Sequence, residues 1–314
     1  MCAAPILSLS TCWCSLRHED GYAMLREMAD LGFTHAELSH GIRMSLVPGI
    51  LKAVEEGVIK ISTTHNFCPL PAGIMVPAPN AYQPSSPNKR ERDLWARYTT
   101  HTLEFAKRVG APVTVVHCGS EFFFFFNPAT KLEALVERLE GTVLTESAEY
   151  KAVLAKLLGK LRGASAKHYA RLRHGFAELA AKAKECGVKF GCENREALLE
   201  LPLDEDMEKF LTSLDDLGVC GGWHDVGHAR IKEREGVLNH AEFLAKNHGR
   251  LLGFHLHDVS AEGKDHQPPG SGTVDWAMVR QYVKPEHIAV LELSPRTEPQ
   301  QVRESKVFLE KWLG

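Results

Sequence analysis

The sequence predicts an eight-stranded parallel (β/α)8 barrel carrying a helical insertion after its fourth strand. Three observations lead there. One unit recurs along the chain: an amphipathic helix, a glycine, a short apolar run, and a polar cluster where that run stops. The runs are short enough to be buried parallel strands, and glycine can take the left-handed conformation that ends a helix. No glycine-rich phosphate loop follows the first strand, as an open doubly wound sheet of this size would more often show.

In chain order, the first strand runs from Ile6 to Ser10. The segment Met1 to Thr11 is mildly apolar but lacks a basic region, so it reads as a strand and not as a secretion signal. Strands two and three close the units Asp30-Leu-Gly-Phe-Thr-His-Ala-Glu-Leu38 and Glu56-Gly-Val-Ile-Lys-Ile-Ser-Thr-Thr-His65. The stretch from Asn66 to Asn88 holds six prolines and no periodicity, which predicts a functional loop on the strand-end side. Strand four is Pro112 to His117, after Gly110.

The insertion spans about 119 to 163, with helices expected over 129 to 140 and 147 to 161 and five consecutive phenylalanines at 122 to 126. The phenylalanines are read first as packing beneath the insertion, ahead of an active-site role, with a subunit contact as the third reading. Both 66 to 88 and 119 to 163 are expected over the C-terminal mouth of the barrel. The helix before strand five shows its stripe at Tyr169, Leu172, Phe176, Leu179 and Ala183. Strands five to seven end the units Glu185-Cys-Gly-Val-Lys-Phe-Gly-Cys-Glu193, Leu217-Gly-Val-Cys-Gly-Gly-Trp-His-Asp225 and His248-Gly-Arg-Leu-Leu-Gly-Phe-His255. Strand eight is Ile288 to Leu293, and a last helix carries Val302, Leu309 and Trp312. Residues 1 to 314 are read as one barrel domain.

The composition is globular, 44% hydrophobic and 25% charged over 314 residues. With 37 Lys+Arg against 40 Asp+Glu, the net charge of -3 provides no global basic field and argues against a nucleic-acid partner. No apolar stretch approaches the ~18 to 20 residues of a membrane span, so a soluble cytoplasmic protein without a membrane partner is expected. The eight cysteines show no paired CxxC spacing and read as reduced, mostly buried thiols.

The strands end at Ser10, Glu37, His65, His117, Glu193, Asp225, His255 and Glu292. In a closed parallel barrel these ends converge on one mouth, where catalytic groups sit. Clustered carboxylates repel one another unless protonated, paired with cations or bound to metal, and histidine supplies a neutral nitrogen ligand suited to Zn²⁺, Mn²⁺ or Co²⁺. Strand alternation further predicts that His255 and His257 point together, that Trp223 and Asp225 do likewise, and that His224 faces the helices. Asp258 is expected to orient its neighbours.

At this point the sequence resembles the xylose isomerase-like TIM-barrel superfamily, which groups sugar isomerases and epimerases, inosose dehydratase-like enzymes and barrel-type apurinic-site endonucleases. The matching pieces are Glu193-Asn194, Asp225-Val-Gly-His228, His255-Leu-His-Asp258, Gly270-Ser-Gly-Thr-Val-Asp-Trp276 and Leu291-Glu-Leu293. The resemblance implies one divalent ion (Mn, Zn, Co or Mg) on Glu193, Asp225, His255 and Glu292, and leaves room for additional zinc ions. It places His65, His117, His228, His257, Lys264 and His266 on the substrate side. His65, His117 and His266 also match zinc positions of the nuclease branch. That branch carries an acidic residue where this chain has Lys264, a departure that argues against DNA repair.

The implied activity is a metal-dependent isomerase or epimerase on a small sugar or sugar-like hydroxy-ketone, with Glu193 and Glu292 moving a proton beside a carbonyl. An inosose dehydratase-like lyase is the first alternative and an apurinic-site endonuclease the second. A homo-oligomer is compatible with all of these.

Overall fold

The structure, a computed structural model, describes residues 4 to 123, 127 to 139 and 142 to 314. Eight strands close on themselves in sequence order, every neighbouring pair parallel: β1 (Ile6–Ser10), β2 (His35–Leu38), β3 (Lys60–His65), β4 (Val113–Val116), β5 (Lys189–Glu193), β6 (Cys220–Asp225), β7 (Leu251–Leu256) and β8 (Ile288–Leu291). The ring closes through β1 and β8, with Ile6 opposite Ile288 and Leu9 opposite Leu291. Because all strands are parallel, their C-terminal ends share one rim, and the expected barrel is the observed one.

The glycine rule holds at four of the five positions singled out. Gly32, Gly57, Gly187 and Gly218 have φ between 69 and 90°, where a side chain would be strained. Gly249 instead lies in a short 3₁₀ turn, His248–Arg250, that leads directly into β7.

Among the described residues ten α-helices surround the barrel: α1 (Gly21–Asp30), α2 (Val47–Glu55), α3 (Lys89–Val109), α4 (Thr130–Arg138), α5 (Ala148–Cys186), α6 (Met207–Thr212), α7 (Val226–Arg234), α8 (His240–Asn247), α9 (Trp276–Arg280) and α10 (Pro299–Leu313). One expectation is corrected here. The second helix of the insertion does not stop near 161 but runs on into the barrel helix, giving a single α5 of 39 residues. Its buried stripe continues without a break through Leu154, Leu157, Leu161, Ser165, His168, Leu172 and Phe176, so Gly159 and Gly163 interrupt nothing that packs. Two such glycines weaken a helix by about 1 kcal/mol each, which a continuous buried face outweighs. Ser147 caps the start, its side chain accepting from the Tyr150 amide, and Gly187 ends the helix in the left-handed region.

The barrel interior below the mouth is filled by Val113, Val115, Trp223, Ile288 and Val290. Trp223 is the largest of these, fully buried. Its ring is accommodated by bare backbone on both flanking strands: a Cβ at Gly191 would lie 3.2 Å from it, and one at Gly253 only 2.5 Å. The tryptophan is therefore the floor beneath the strand ends. Outside the barrel, His224 faces the helices as alternation requires, its Nε2 2.9 Å from Nε2 of His240 on α8.

The proline-rich loop reaches the rim through Asn80, which touches His117, and through Gln83 and Ser85, which bind the Ser120 amide. The start of the insertion also pairs with the segment after β5, where Glu121 N–H donates to Leu199 and Leu201 N–H to Gly119. Farther along, Tyr150 donates to the Glu235 carbonyl beyond α7. Phe122 stacks near His168 with ring centroids 6.4 Å apart, and Phe123 packs against the core. The remaining phenylalanines, 124 to 126, lie outside the described residues. No helix among the described residues is long and apolar enough to cross a membrane.

Candidate metal centre

Glu193 and Asp225 are the last residues of β5 and β6, His255 is the last but one of β7, and Glu292 follows β8 directly. Burial hides all four from solvent, and each offers a ligand atom within 4.8 Å of the others. One nitrogen is their common centre. His255 Nδ1 lies 2.7 Å from Glu193 Oε1, 3.2 Å from Glu292 Oε2 and 3.7 Å from Asp225 Oδ2. Its other nitrogen, Nε2, is 3.2 Å from Glu37 Oε2.

Glu37 ends the β2 side of this arrangement and is itself buried, accepting from Ser10 Oγ at 2.8 Å and from Thr63 Oγ1 at 2.8 Å. A carboxylate that fixes the far nitrogen of a metal-binding histidine is the usual outer support of such a ligand, because it commits the proton to that side and leaves the near nitrogen's lone pair free.

The charge balance points the same way. Four buried carboxylates (Glu37, Glu193, Asp225, Glu292) lie at the mouth, and Arg195, which bonds Glu193, is shared with a further carboxylate, Glu200. Burial disfavours a charged His255, yet Glu292, Glu37 and the hydrogen bonds it donates to Glu193 and Glu37 outweigh it and raise the imidazole's pKa well above its ordinary value. Burial likewise opposes ionisation of Glu193, but Arg195, His117, His255 and His65 hold its pKa well below the usual carboxylate range. The donor set, three carboxylates and one imidazole in a dry site short of positive charge, fits a divalent cation.

Around this centre the other predicted residues fall into place by side chain. His117 Nε2 is 3.0 Å and His65 Nε2 3.8 Å from Glu193 Oε2, on the β3–β4 side. On the opposite side His257 Nε2 is 3.1 Å from Asp225 Oδ1. The His266 amide donates to His257 Nδ1 at 2.9 Å, so His257 carries its proton on Nε2 and donates to Asp225. His266 stacks on His257 at 4.4 Å and brings its Nε2 to 3.7 Å from Glu292. Its backbone takes φ 52°, rare for a residue with a side chain. Asp225 also caps α7, accepting the His228 amide at 2.7 Å, and this places the buried His228 ring beside Asn194.

Lys264 stands apart. It is exposed in a turn closed by backbone hydrogen bonds with Ser260, and the residue beside His266 at the site is Asp265, 2.9 Å from its Nδ1. Asp258 orients its neighbours as expected: its two oxygens accept from the amides of Val259, Gly270 and Val274 and from the Trp276 indole, which accounts for the Gly270 to Trp276 segment.

Three contributors went unread in the sequence. Arg195 is two residues beyond Glu193 and donates from Nη1 to Glu193 Oε2 at 2.6 Å. His40, just past β2, is half-buried with its ring centroid 4.8 Å from that of His65. Burial, with His65 and His117 beside it, pushes its pKa well down. Asn80 comes from the proline-rich loop. None of these ends a strand; the only signal for Arg195 was its place directly after the Glu193-Asn194 motif.

Comparison with known proteins adds three findings. Residues 25–312 match the family model described as xylose isomerase-like TIM barrel. No curated protein sequence matches the chain. Among solved structures, a D-tagatose 3-epimerase-like protein superposes with a TM-score of 0.67 at 17% identity, covering 98% of this chain and 96% of that one. The 3-keto-D-glucoside 4-epimerase of E. coli gives 0.66 at 16% identity, covering 98% and 99%. An L-ribulose 3-epimerase gives 0.67 at 12%, covering 98% and 94%. At these identities the likeness is one of fold.

Proposed function

This chain belongs to the xylose isomerase-like TIM-barrel family, and we propose that it is a metal-dependent isomerase or epimerase that moves a proton beside the carbonyl of a sugar or sugar-like hydroxy-ketone. The observation that carries the reading is His255 Nδ1 ringed by Glu193, Asp225 and Glu292 while Glu37 holds its Nε2. Those four ring members, Glu193, Asp225, His255 and Glu292, are the proposed ligands of one divalent ion. The epimerase names of the structural neighbours support the substrate class.

When bound, the ion supplies Lewis acidity, polarising the carbonyl and acidifying the adjacent C–H. The chain's own residues do the rest. Glu193 and Glu292 reach the mouth from β5 and β8, so each is placed to take or return a proton on its own face of a substrate lying between them. Return from the opposite face inverts the carbon; return to the neighbouring carbon isomerises the sugar. His65, His117, His228, His257 and His266 offer nitrogens to hydroxyl groups, and the loop carrying Asn80 limits water at the site. Lys264, at the rim, enters only as an outer contact.

The test is a screen of keto-sugars and inososes with Mn²⁺-loaded protein in deuterated solvent. Deuterium entering the carbon next to the carbonyl supports proton transfer; loss of water from an inosose would instead assign a dehydratase. Turnover with no exchange on any substrate overturns the reading.

A further inference from the structure

Outside the barrel, α3 and α5 present two stripes at helical spacing to one pocket: Lys89, Arg92, Asp93 and Ala96 on the first, Arg171, His174, Gly175 and Glu178 on the second. With Pro84 and Trp95 they enclose about 350 Å³. Trp95 is fully buried and closes the bottom, and Gly175 lets α5 pass the indole, since a Cβ there would lie 3.0 Å from it. None of these residues takes part in the metal centre.

The pocket is short of negative charge. Arginine is always charged and carries five donors. Arg92 Nη1 donates to the Ser86 carbonyl at 2.7 Å and Arg171 Nη1 to the Ser85 carbonyl at 3.3 Å, which leaves further donors on both. Both side chains are half-buried, and among the described residues neither has a carboxylate partner. The two acids of the pocket do not supply one. Asp93 is held by Lys89 through both oxygens at 2.8 Å, and Glu178 is exposed. Partly burying two guanidinium groups without a counter-ion is costly, so the pocket favours an anion. A carboxylate offers its oxygen pair to a single guanidinium fork, whereas a phosphate can present a pair to each of two. The charges match as well: two fixed positive charges against about −1.5 to −2 on a phosphate monoester at pH 7.

We propose that this pocket binds the phosphate group of a small phosphate ester, gripped by Arg92 and Arg171. Its volume lies at the lower end of the range for small-molecule sites, which leaves room for a small organic body beyond the phosphate. The same two guanidinium groups hold the carbonyls of Ser85 and Ser86, and that segment leads back to Asn80 beside His117 at the mouth. A ligand that fixes the arginines therefore stiffens the end of the proline-rich loop. The proposal does not depend on the metal-centre reading.

The test is calorimetric titration of the full-length protein with inorganic phosphate at constant ionic strength. Arg92→Gln and Arg171→Gln should each bind phosphate about 10 to 100-fold more weakly, the span of one lost hydrogen bond to a charged group. Asp225→Asn, at the metal centre, should bind it as the wild type does. Glu178→Gln removes an exposed charge that repels the ligand and should bind more tightly, so it reports on the pocket even where an arginine variant fails to fold. Acetate should bind about 10-fold more weakly than phosphate, or less tightly still. Hydrogen–deuterium exchange over residues 80 to 88 should slow when phosphate is added to the wild type and stay unchanged in Arg92→Gln. No saturable binding by the wild type, or an affinity indifferent to both arginines and to Glu178, overturns the site. Acetate binding as tightly as phosphate overturns the phosphate assignment, and exchange that phosphate leaves unaltered overturns the link to the loop.

Discussion

Gly227→Ala separates local propensity from the geometry of the site, because the two predict opposite signs. On propensity alone, alanine in α7 should stabilise by up to about 1 kcal/mol. The structure says otherwise. A Cβ on Gly227 would lie 2.0 Å from His257 Cε1 and 2.4 Å from its Nδ1, where ordinary contact begins at 3.4 Å. The ring must withdraw by well over an ångström, and His266 is stacked behind it at 4.4 Å. Withdrawal breaks two bonds of His257: the donation to Asp225 and the acceptance from the His266 amide. A hydrogen bond to a charged group contributes about 1.5 to 3 kcal/mol and a neutral one about 0.5 to 1.5, so the variant should lose about 2 to 4 kcal/mol, and Asp225 loses the donor that aims it. Urea unfolding should show the lower stability, and Mn²⁺ titration an affinity lowered by about 10 to 100-fold. A Gly227→Ala protein as stable as the wild type, with unchanged Mn²⁺ affinity, would refute the close approach of helix and ring on which the site is built.

Glu292→Gln keeps an oxygen ligand but removes the base, so metal should stay bound while turnover falls by about 10² to 10⁴-fold; full activity in a metal-loaded variant removes Glu292 from proton transfer. Mn²⁺ at a hundred times its dissociation constant should stabilise the fold by about 2.7 kcal/mol, read as a rise in urea midpoint that EDTA reverses and that Asp225→Asn reduces. Trp223→Ala should cost about 3 to 5 kcal/mol, since Gly191 and Gly253 leave nothing to fill the void; a loss under about 1 kcal/mol would mean that the ring is not the floor of the barrel. The His224–His240 pair makes the fold acid-sensitive. Burial lowers the His240 pKa from 6.5 to about 4, with Arg230 also lowering it and Glu233 opposing. Between those values the unfolded chain binds a proton that the folded one refuses, so stability is complete above pH ~6.5 and falls toward pH ~4, by on the order of 3 kcal/mol. A His224→Leu/His240→Leu double variant should show a shallower loss of stability over that range; an unchanged slope would exclude the pair as its source.

How much of this was readable depends on whether a residue sits where a periodic rule applies. A strand has a period of two, so once Gly187 and the run after it are recognised, the face on which Glu193 projects follows. The same rule placed Asp225 and Trp223 inward and His224 outward, where His240 meets it. Loops have no such rule. Asn80 lies in a stretch whose prolines announce an irregular path without saying where it leads, and Lys264 and Asp265 are separated by one position in a turn that no periodicity fixes. The long α5 was misread for a related reason: glycine is a strong local signal, but whether it ends a helix depends on what lies opposite, and at Gly159 and Gly163 nothing lies within 4 Å.

The strand-end residues supply the proposed donors, yet they do not explain why those donors are usable. Three carboxylates around His255 Nδ1 would merely trap a proton there if both imidazole nitrogens were free to choose. Glu37 removes that choice on one side of the mouth, where Nε2 faces it at 3.2 Å. Arg195 offsets one charge of Glu193 on the other, and Asn80 fixes the neighbouring His117. Each of these supports reaches the site from a different connection: Glu37 from β2, Arg195 from the turn after β5, Asn80 from the loop after β3. A proton bound at His255 Nδ1 and a divalent ion compete for the same lone pair and the same three carboxylates. The ion carries the larger charge into a site short of positive charge, so its uptake should release a proton, and Mn²⁺ affinity should rise with pH as that proton becomes easier to displace. Affinity that is flat from pH 6 to pH 8, or that falls, would show that His255 is not the nitrogen that meets the metal.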